Sequence, residues 1–225
     1  MTCAGQVHAP YRHDCSLILY ADAALIVANK PAGLLAVPGR GPDKADCLAA
    51  RVAAVYADAQ VVHRLDMDTS GLICFGRGAA AQRALSMAFA ARAVHKIYIA
   101  DVVASSDLVG ASAGDWQTID LPLIVDWPNR PRSKVDHDIG KPSVTRWRVL
   151  AHDAARGRAR VELQPVTGRS HQLRVHLAAI GMPIVGDPLY GNGQPAARMH
   201  LHASQLTVPH PVSGEAMQFA SPPPF

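Results

Sequence analysis

Apolar positions along this chain recur mostly as short runs or in alternation, and show helical spacing in only three stretches. Leu17 to Tyr20 and Leu25 to Ala28 flank Ala21-Asp22-Ala23-Ala24, which predicts a hairpin. Ala36 to Lys44 holds Pro38, Gly39, Gly41 and Pro42 and predicts a loop. Asp46 is then placed to cap a helix running to about Tyr56, with Leu48, Val52 and Val55 on one face. The apolar runs Ala59 to Val62 and Leu72 to Phe75 read as strands entering and leaving a polar loop. An Ala-rich helix is expected from about Ala79 to Ala91, and a β-branched strand over Ile97 to Val103. Ser105 to Gly114 reads as a mobile insertion, and the longer stretch from Ala104 to Gln117 has no assigned role. Val144 to Leu150 and Ala159 to Val166 form a strand pair around Arg156-Gly157. Ser170 caps a helix running to Ile180 with Gly181 as its C′ residue; Pro183 to Gly193 is irregular, and Leu201 to Val208 is the last strand. With strands dominating and helices set apart from them, the pattern argues for an α+β fold.

Composition narrows the class without naming the chemistry. A chain of 225 residues, 49% apolar, can bury a sizeable core in one domain or in two fused halves, which excludes a disordered or fibrous protein. The net charge is only +4, but the basic residues are 17 Arg against 5 Lys. Arg presents a planar fork matched to phosphate and able to stack on bases, so RNA is an admissible partner. The cysteines Cys3, Cys15, Cys47 and Cys74 show no C-x-x-C spacing, which fits free thiols in a reducing compartment, and cytoplasm is the expected location. No apolar run approaches the length of a membrane span, and the amino terminus has no signal-like apolar core.

The polar loop between the runs at 59–62 and 72–75 carries His63-Arg64-Leu65-Asp66-Met67-Asp68-Thr69-Ser70-Gly71, a carboxylate aimed rather than buried. That order resembles the H-R-L-D-x-x-T-S-G motif of the RluA family of pseudouridine synthases. The resemblance extends to Asn29-Lys30-Pro31-Ala32-Gly33-Leu34-Leu35, to His95-Lys96-Ile97-Tyr98 and to Thr167-Gly168-Arg169-Ser170-His171-Gln172-Leu173-Arg174. The run Leu121 to Pro131 looks most like the founding member, which modifies a tRNA anticodon loop and large-subunit ribosomal RNA. The resemblance implies a mixed, largely antiparallel sheet with flanking helices and an active cleft between two half-domains. It implies a catalytic domain over about residues 17–225 behind a short arm of residues 1–16, without a separate amino-terminal RNA-binding domain. The implied partner is RNA, in the anticodon stem-loop of tRNA at position thirty-two, in 23S ribosomal RNA, or in both. A monomer is expected.

Isomerising uridine breaks the bond from C1′ to N1, turns the uracil and joins C5 to C1′, so no redox cofactor, nucleotide or metal is called for. A carboxylate can serve as nucleophile towards sugar or base, or shuttle a proton from the sugar to give a glycal-type intermediate. By resemblance Asp66 is the catalytic aspartate and Arg174 the arginine that keeps it ionised, with Arg169 as the other candidate for that pairing. Tyr98 matches the active-site tyrosine that stacks on uracil while its hydroxyl assists removal of the C5 proton. Arg64 matches the residue that enters the RNA stack as the nucleotide leaves. His63, Thr69, Lys30, Arg130, Arg169 and His171 are expected on the RNA-facing side, where Arg169 and His171 open a helix suited to phosphate. The charges Arg130, Arg132, Lys134, Lys141, Arg146 and Arg148, with Pro and Trp neighbours, suggest an RNA-facing loop.

Three other readings compete. His63, Asp66, His171 and His176 could hold a hydrolytic metal, but lack a spacing such as H-E-x-x-H. Gly168 to Gln172 lacks the second glycine of a serine-hydrolase nucleophile elbow. A non-catalytic RNA-binding or ribosome-assembly factor would have no need of Asp66, Tyr98 and Arg174 together.

Overall fold

The computed structural model describes residues 15–41, 44–104, 114–191, 193 and 196–225. Its strands are β1 (Ile18–Ala21), β2 (Leu25–Lys30), β3 (Ala59–Val61), β4 (Ser70–Arg77), β5 (His95–Val103), β6 (Gln117–Asp120), β7 (Leu123–Val125), β8 (Ser133–Val135), β9 (Val144–Asp153), β10 (Arg158–Pro165), β11 (Leu201–Pro209) and β12 (Ala216–Ala220). The α-helices are α1 (Leu48–Val55), α2 (Gly78–Ala90) and α3 (Gln172–Ala179). Ten strands form one sheet in the order β1-β2-β4-β11-β5-β10-β9-β6, with β3 on β4 and β12 on β11; β7 and β8 form a separate ribbon. Every pairing but that of β4 with β11 is antiparallel, which is the mixed, largely antiparallel α+β sheet expected.

The parallel junction of β4 and β11 is short, His202 opposite Ser70 and Ala203 opposite Gly71. Beyond it the two strands diverge, β4 pairing with β3 and β11 with β12. Gly71 sits at the junction with φ 113°, and a Cβ there would lie 2.4 Å from the Ala203 carbonyl oxygen. Only glycine permits that approach, so the last residue of the loop motif closes the seam between the two halves of the sheet.

The strands beside the seam are buried on both faces. In β2 and β4, Ile26, Ala28, Ile73 and Phe75 join one cluster with Leu48 and Val52 of α1 and Leu173 and Leu177 of α3. Their neighbours Leu25, Val27, Leu72 and Cys74 join a second with Leu85 of α2. Successive side chains of a strand point to opposite faces, so a strand covered on both sides reads as an unbroken apolar run. β10 instead buries alternate residues, Ala159, Val161 and Leu163.

The hairpin of β1 and β2, the irregular stretch over the described residues 183–191 and the Gly157 turn in the left-handed region follow the sequence reading. Gly181, at φ 75°, ends α3 with its N–H on Ala178 O and that of Met182 on Leu177 O. Other expectations are corrected. Cys47, not Asp46, caps α1, its sulfur accepting the Ala50 N–H at 3.4 Å, because Asp46 is drawn to Arg51. His171, not Ser170, precedes α3, in a left-handed conformation with no side-chain cap. β6, β7, β8 and β12 escaped notice because three to five residues carry too little alternation to register, and β12 rather than β11 is the last strand. The expected insertion at 105–114 falls almost wholly outside the described residues.

Candidate active site

The polar loop of residues 62–69 enters β4 beside the seam, and α3 packs against it from the other half of the sheet. Between them opens a cleft of about 310 Å³, walled by Asp66, Thr69, Lys96, Tyr98, His171 and Arg174 among others. The side chain of Asp66 keeps 24% exposure, whereas Arg174 keeps 2%. Arg174 Nη1 donates to Asp66 Oδ2 at 3.2 Å. Its Nε and Nη2 donate to both oxygens of Asp187, each at 2.8 Å, a forked geometry that holds the guanidinium still.

Asp187 is the main residue the sequence reading missed. It lies in Gly186-Asp187-Pro188-Leu189-Tyr190, where its Oδ1 also accepts the N–H groups of Leu189 at 2.8 Å and Tyr190 at 3.1 Å. Asp before Pro is a turn signal, but nothing local says that the turn faces a helix arginine. Burial pushes the Asp187 carboxyl up, yet the Arg174 hydrogen bonds and charge, with those two N–H groups, outweigh it and hold it below the ordinary range. Burial pulls Arg174 down, and Asp187 and Asp66 more than offset that.

Tyr190 orders the ring next to Asp66. Its Oη accepts the Ser133 N–H at 2.6 Å and lies 2.8 Å from His171 Nδ1, a hydrogen bond that fixes the orientation of the ring. His171 Nε2 faces Asp66 Oδ1 at 3.8 Å, too long for a hydrogen bond. Burial lowers the His171 pKa, with the Asp66 charge opposing, so the ring is neutral at pH 7. Tyr98, 8% exposed on β5, is raised by burial and then by the Asp66 charge, which keeps its phenol protonated.

Gln172 holds the loop before α3. Its Nε2 donates to Val144 O and Thr145 Oγ1, and its Oε1 accepts from Thr167 Oγ1 and the Arg169 N–H. Arg169 thus lines the cleft while its guanidinium reaches Pro142 O at 3.4 and 3.5 Å, away from the Asp66 pairing. Arg64 is exposed at the rim, with no hydrogen bond or salt bridge to another described residue.

Several expected RNA contacts are placed elsewhere. Lys30 is fully buried, its ammonium donating to Pro31 O at 2.9 Å, Leu34 O at 2.6 Å and Met67 O at 2.8 Å. All three donors are spent inside, so it cannot meet RNA. Burial lowers its pKa to about 8 against the charges of Asp68 and Asp66. Because Met67 O also takes the Gly33 N–H, the Asn29-to-Leu35 motif anchors the backbone next to Asp66. His63 accepts the Cys74 N–H at 3.1 Å and stacks on Phe89; burial, then the Lys96 charge, lowers its pKa to about 3, so it is a neutral strut of the wall and no cation for phosphate. Thr69 is 3% exposed and closes the Asp66 turn through its N–H, so what it offers RNA is only a patch of wall. Arg130 is exposed but lies 3.9 Å over the Trp127 ring and bonds Trp127 O, outside the cleft lining. The residues weighed for a metal do not converge, since the His176 ring is taken up by Thr145 Oγ1 and Leu121 O, each at 3.0 Å. Among the described residues no three His, Cys, Asp or Glu side chains are placed to hold an ion, and no helix is long and apolar enough to cross a membrane.

With that geometry in view, comparisons with known proteins are specific. A family model described as RNA pseudouridylate synthase matches residues 24–179. The dual-specificity RNA pseudouridine synthase RluA of Yersinia pestis is 47% identical over 206 residues, 90% of this chain and 97% of that protein. Its namesake in Escherichia coli strain K12 is 45% identical over 219 residues, 96% of this chain and 97% of that protein. Among solved structures, human RNA pseudouridylate synthase domain containing 1 superposes with a TM-score of 0.73 at 29% identity, covering 92% of this chain and 83% of that one.

Proposed function

The chain belongs to the RNA pseudouridylate synthase family and is an RNA-modifying isomerase, and on that premise we propose that Asp66 is its catalytic group, acting on a uridine flipped out of an RNA stem-loop. The observation that carries this reading is the partly exposed Asp66 carboxylate, 3.2 Å from an arginine immobilised by Asp187, in a cleft that Tyr98 also lines. Arg174 holds a fixed positive charge beside the carboxylate for either route, attack on the ribose or base, or transfer of a proton from the sugar. The protonated Tyr98 phenol is suited to stack on the uracil and to donate a hydrogen bond. To take the C5 proton it must first give up its own. Arg64 at the rim fills the space that the nucleotide vacates in the stack, a step that offsets part of the few kcal/mol of unstacking.

For the substrate we infer two RNA classes, the anticodon stem-loop of tRNA at position thirty-two and 23S ribosomal RNA, modified by a monomer in the cytoplasm. The name of the relatives, dual-specificity, and the likeness over residues 121–131 support this. Mapping pseudouridines in total RNA from a deletion strain tests it: sites lost from both RNA classes are expected, and loss from neither overturns it.

Asp66→Asn keeps the volume but cannot act as nucleophile or base. Tritium release from C5-labelled uridine in an anticodon stem-loop should fall by far more than tenfold with RNA binding intact. Turnover within about tenfold of wild type, roughly 1.4 kcal/mol of barrier, rejects the assignment. EDTA should leave the wild-type rate unchanged.

A further inference from the structure

A second hollow of about 540 Å³ adjoins the catalytic cleft and shares Phe89, Lys96, Pro165 and the Thr167-to-Arg169 edge with it. Its own walls add Arg92, His95 and Arg146, and among the described residues no Asp or Glu lines it. Arg146 is exposed, 4.8 Å over the Trp116 ring, and among the described residues its guanidinium bonds only the neutral Gln164 amide. Arg92 is exposed and has no hydrogen bond or salt bridge from its side chain to a described residue. It stands just past the end of α2, its N–H on Phe89 O and that of Ala93 on Ala88 O, at φ 59°. Glycine ordinarily takes this helix-ending position because other residues are strained there. Only one other non-glycine described residue has a positive φ, His171, which faces Asp66. Strain kept at a site that glycine would relieve points to a side chain needed there.

We propose that this groove seats the RNA strand flanking the flipped uridine, with Arg92 contacting its phosphates. Charge and continuity select that occupant. A strand whose target base lies in the cleft leaves along walls that the two hollows share, and there it meets cations with no competing carboxylate among the described residues. The bland alternative, a cation that merely complements the carboxyl end of the α2 dipole, predicts no effect on RNA. The inference rests on the functional reading above, and equilibrium binding separates the two because it does not depend on turnover.

The test is binding of an anticodon stem-loop to Arg92→Gly, Arg92→Ala and Arg92→Lys across a salt series, with thermal melts. Arg92→Gly should melt no lower than wild type yet bind about three- to tenfold more weakly, and the slope of log affinity against log salt should shrink by about 0.7 to 1. Arg92→Ala should bind as weakly, and Arg92→Lys should retain most of the affinity. In turnover the loss should fall on KM rather than kcat, and should vanish as flanking nucleotides are trimmed from the side that reaches the groove. Wild-type affinity and slope in Arg92→Gly overturn the groove alone. A wild-type protein that binds no RNA overturns the groove and the functional reading together.

Discussion

The two sides of the cleft hold their charges in opposite ways. Asp66 rides on a loop, a quarter exposed, with one 3.2 Å hydrogen bond to its side chain among the described residues and its loop backbone tethered below by Lys30 and Gly33 through Met67 O. Arg174 stands inside α3 with its fork locked on Asp187, whose side chain is fully buried. One charge is left able to react, the other is unable to move. A preorganised partner costs no reorganisation when the reacting group changes its bonding, and a partly exposed carboxylate can still be stripped of water by the entering RNA. On the reacting side the loop is held through its backbone carbonyl at Met67, which Lys30 and Gly33 engage, so the Asp66 side chain can be altered with less damage to the fold than Arg174.

The most damaging way to break the contrast is Arg174→Leu, which strands Asp66 and the buried Asp187 at once. An uncompensated buried charge costs about 3 to 5 kcal/mol, so thermal melts should drop steeply and single-turnover isomerisation should be lost. A melt unchanged from wild type would mean that Asp187 and Asp66 do not depend on this arginine. Asp187→Asn should do less, about 1.5 to 3 kcal/mol, because the amide oxygen still accepts from Arg174. Its signature lies in pH. The folded Asp187 carboxyl titrates below its unfolded value of about 4, so the pair contributes full stability above that pH and loses it as pH falls towards the folded value. The wild-type melting temperature should therefore fall more steeply than that of Asp187→Asn below about pH 4, and parallel curves would show that the pair is not the acid-labile element.

On the reacting side, Lys30→Met removes the donor to three carbonyls but also a buried charge, and the two effects offset each other to about 1 kcal/mol of net destabilisation. The larger consequence should be a lower kcat, because the backbone beside Asp66 loses its tether, with RNA affinity nearly unchanged; a fall in affinity alone would return Lys30 to the RNA-binding set. Arg64→Ala should leave stability untouched. Single-turnover rates on a structured stem-loop should drop, but not on the same RNA with the target uridine beside an abasic site. Equal, salt-reversible losses on both would make Arg64 a backbone anchor instead.

The fold was legible where side-chain pattern and burial coincide. The unbroken apolar runs of β2 and β4 and the alternation of β10 announced themselves, and Gly181 marked the end of α3 correctly. Caps were less legible, because Asp46 and Ser170 are good capping residues by type, yet an arginine one turn along drew Asp46 away and the backbone turned over at His171. Lys30 illustrates the limit most clearly. A lysine between Asn and Pro reads as surface, and only the convergence of three carbonyls from two segments makes its burial tolerable.

By itself the order of residues determined the α+β class, the carboxylate loop, and the tyrosine and arginine that join it, since a nine-residue motif and three further segments are local text. Tertiary structure decided what each charge is for. Asp187 immobilises Arg174, Tyr190 orients the His171 ring, His63 and Lys30 turn inward, and Arg92 turns out into a groove. The physical reason is that a charge is defined by its surroundings, and burial and partners arrive from strands and helices far apart in the chain.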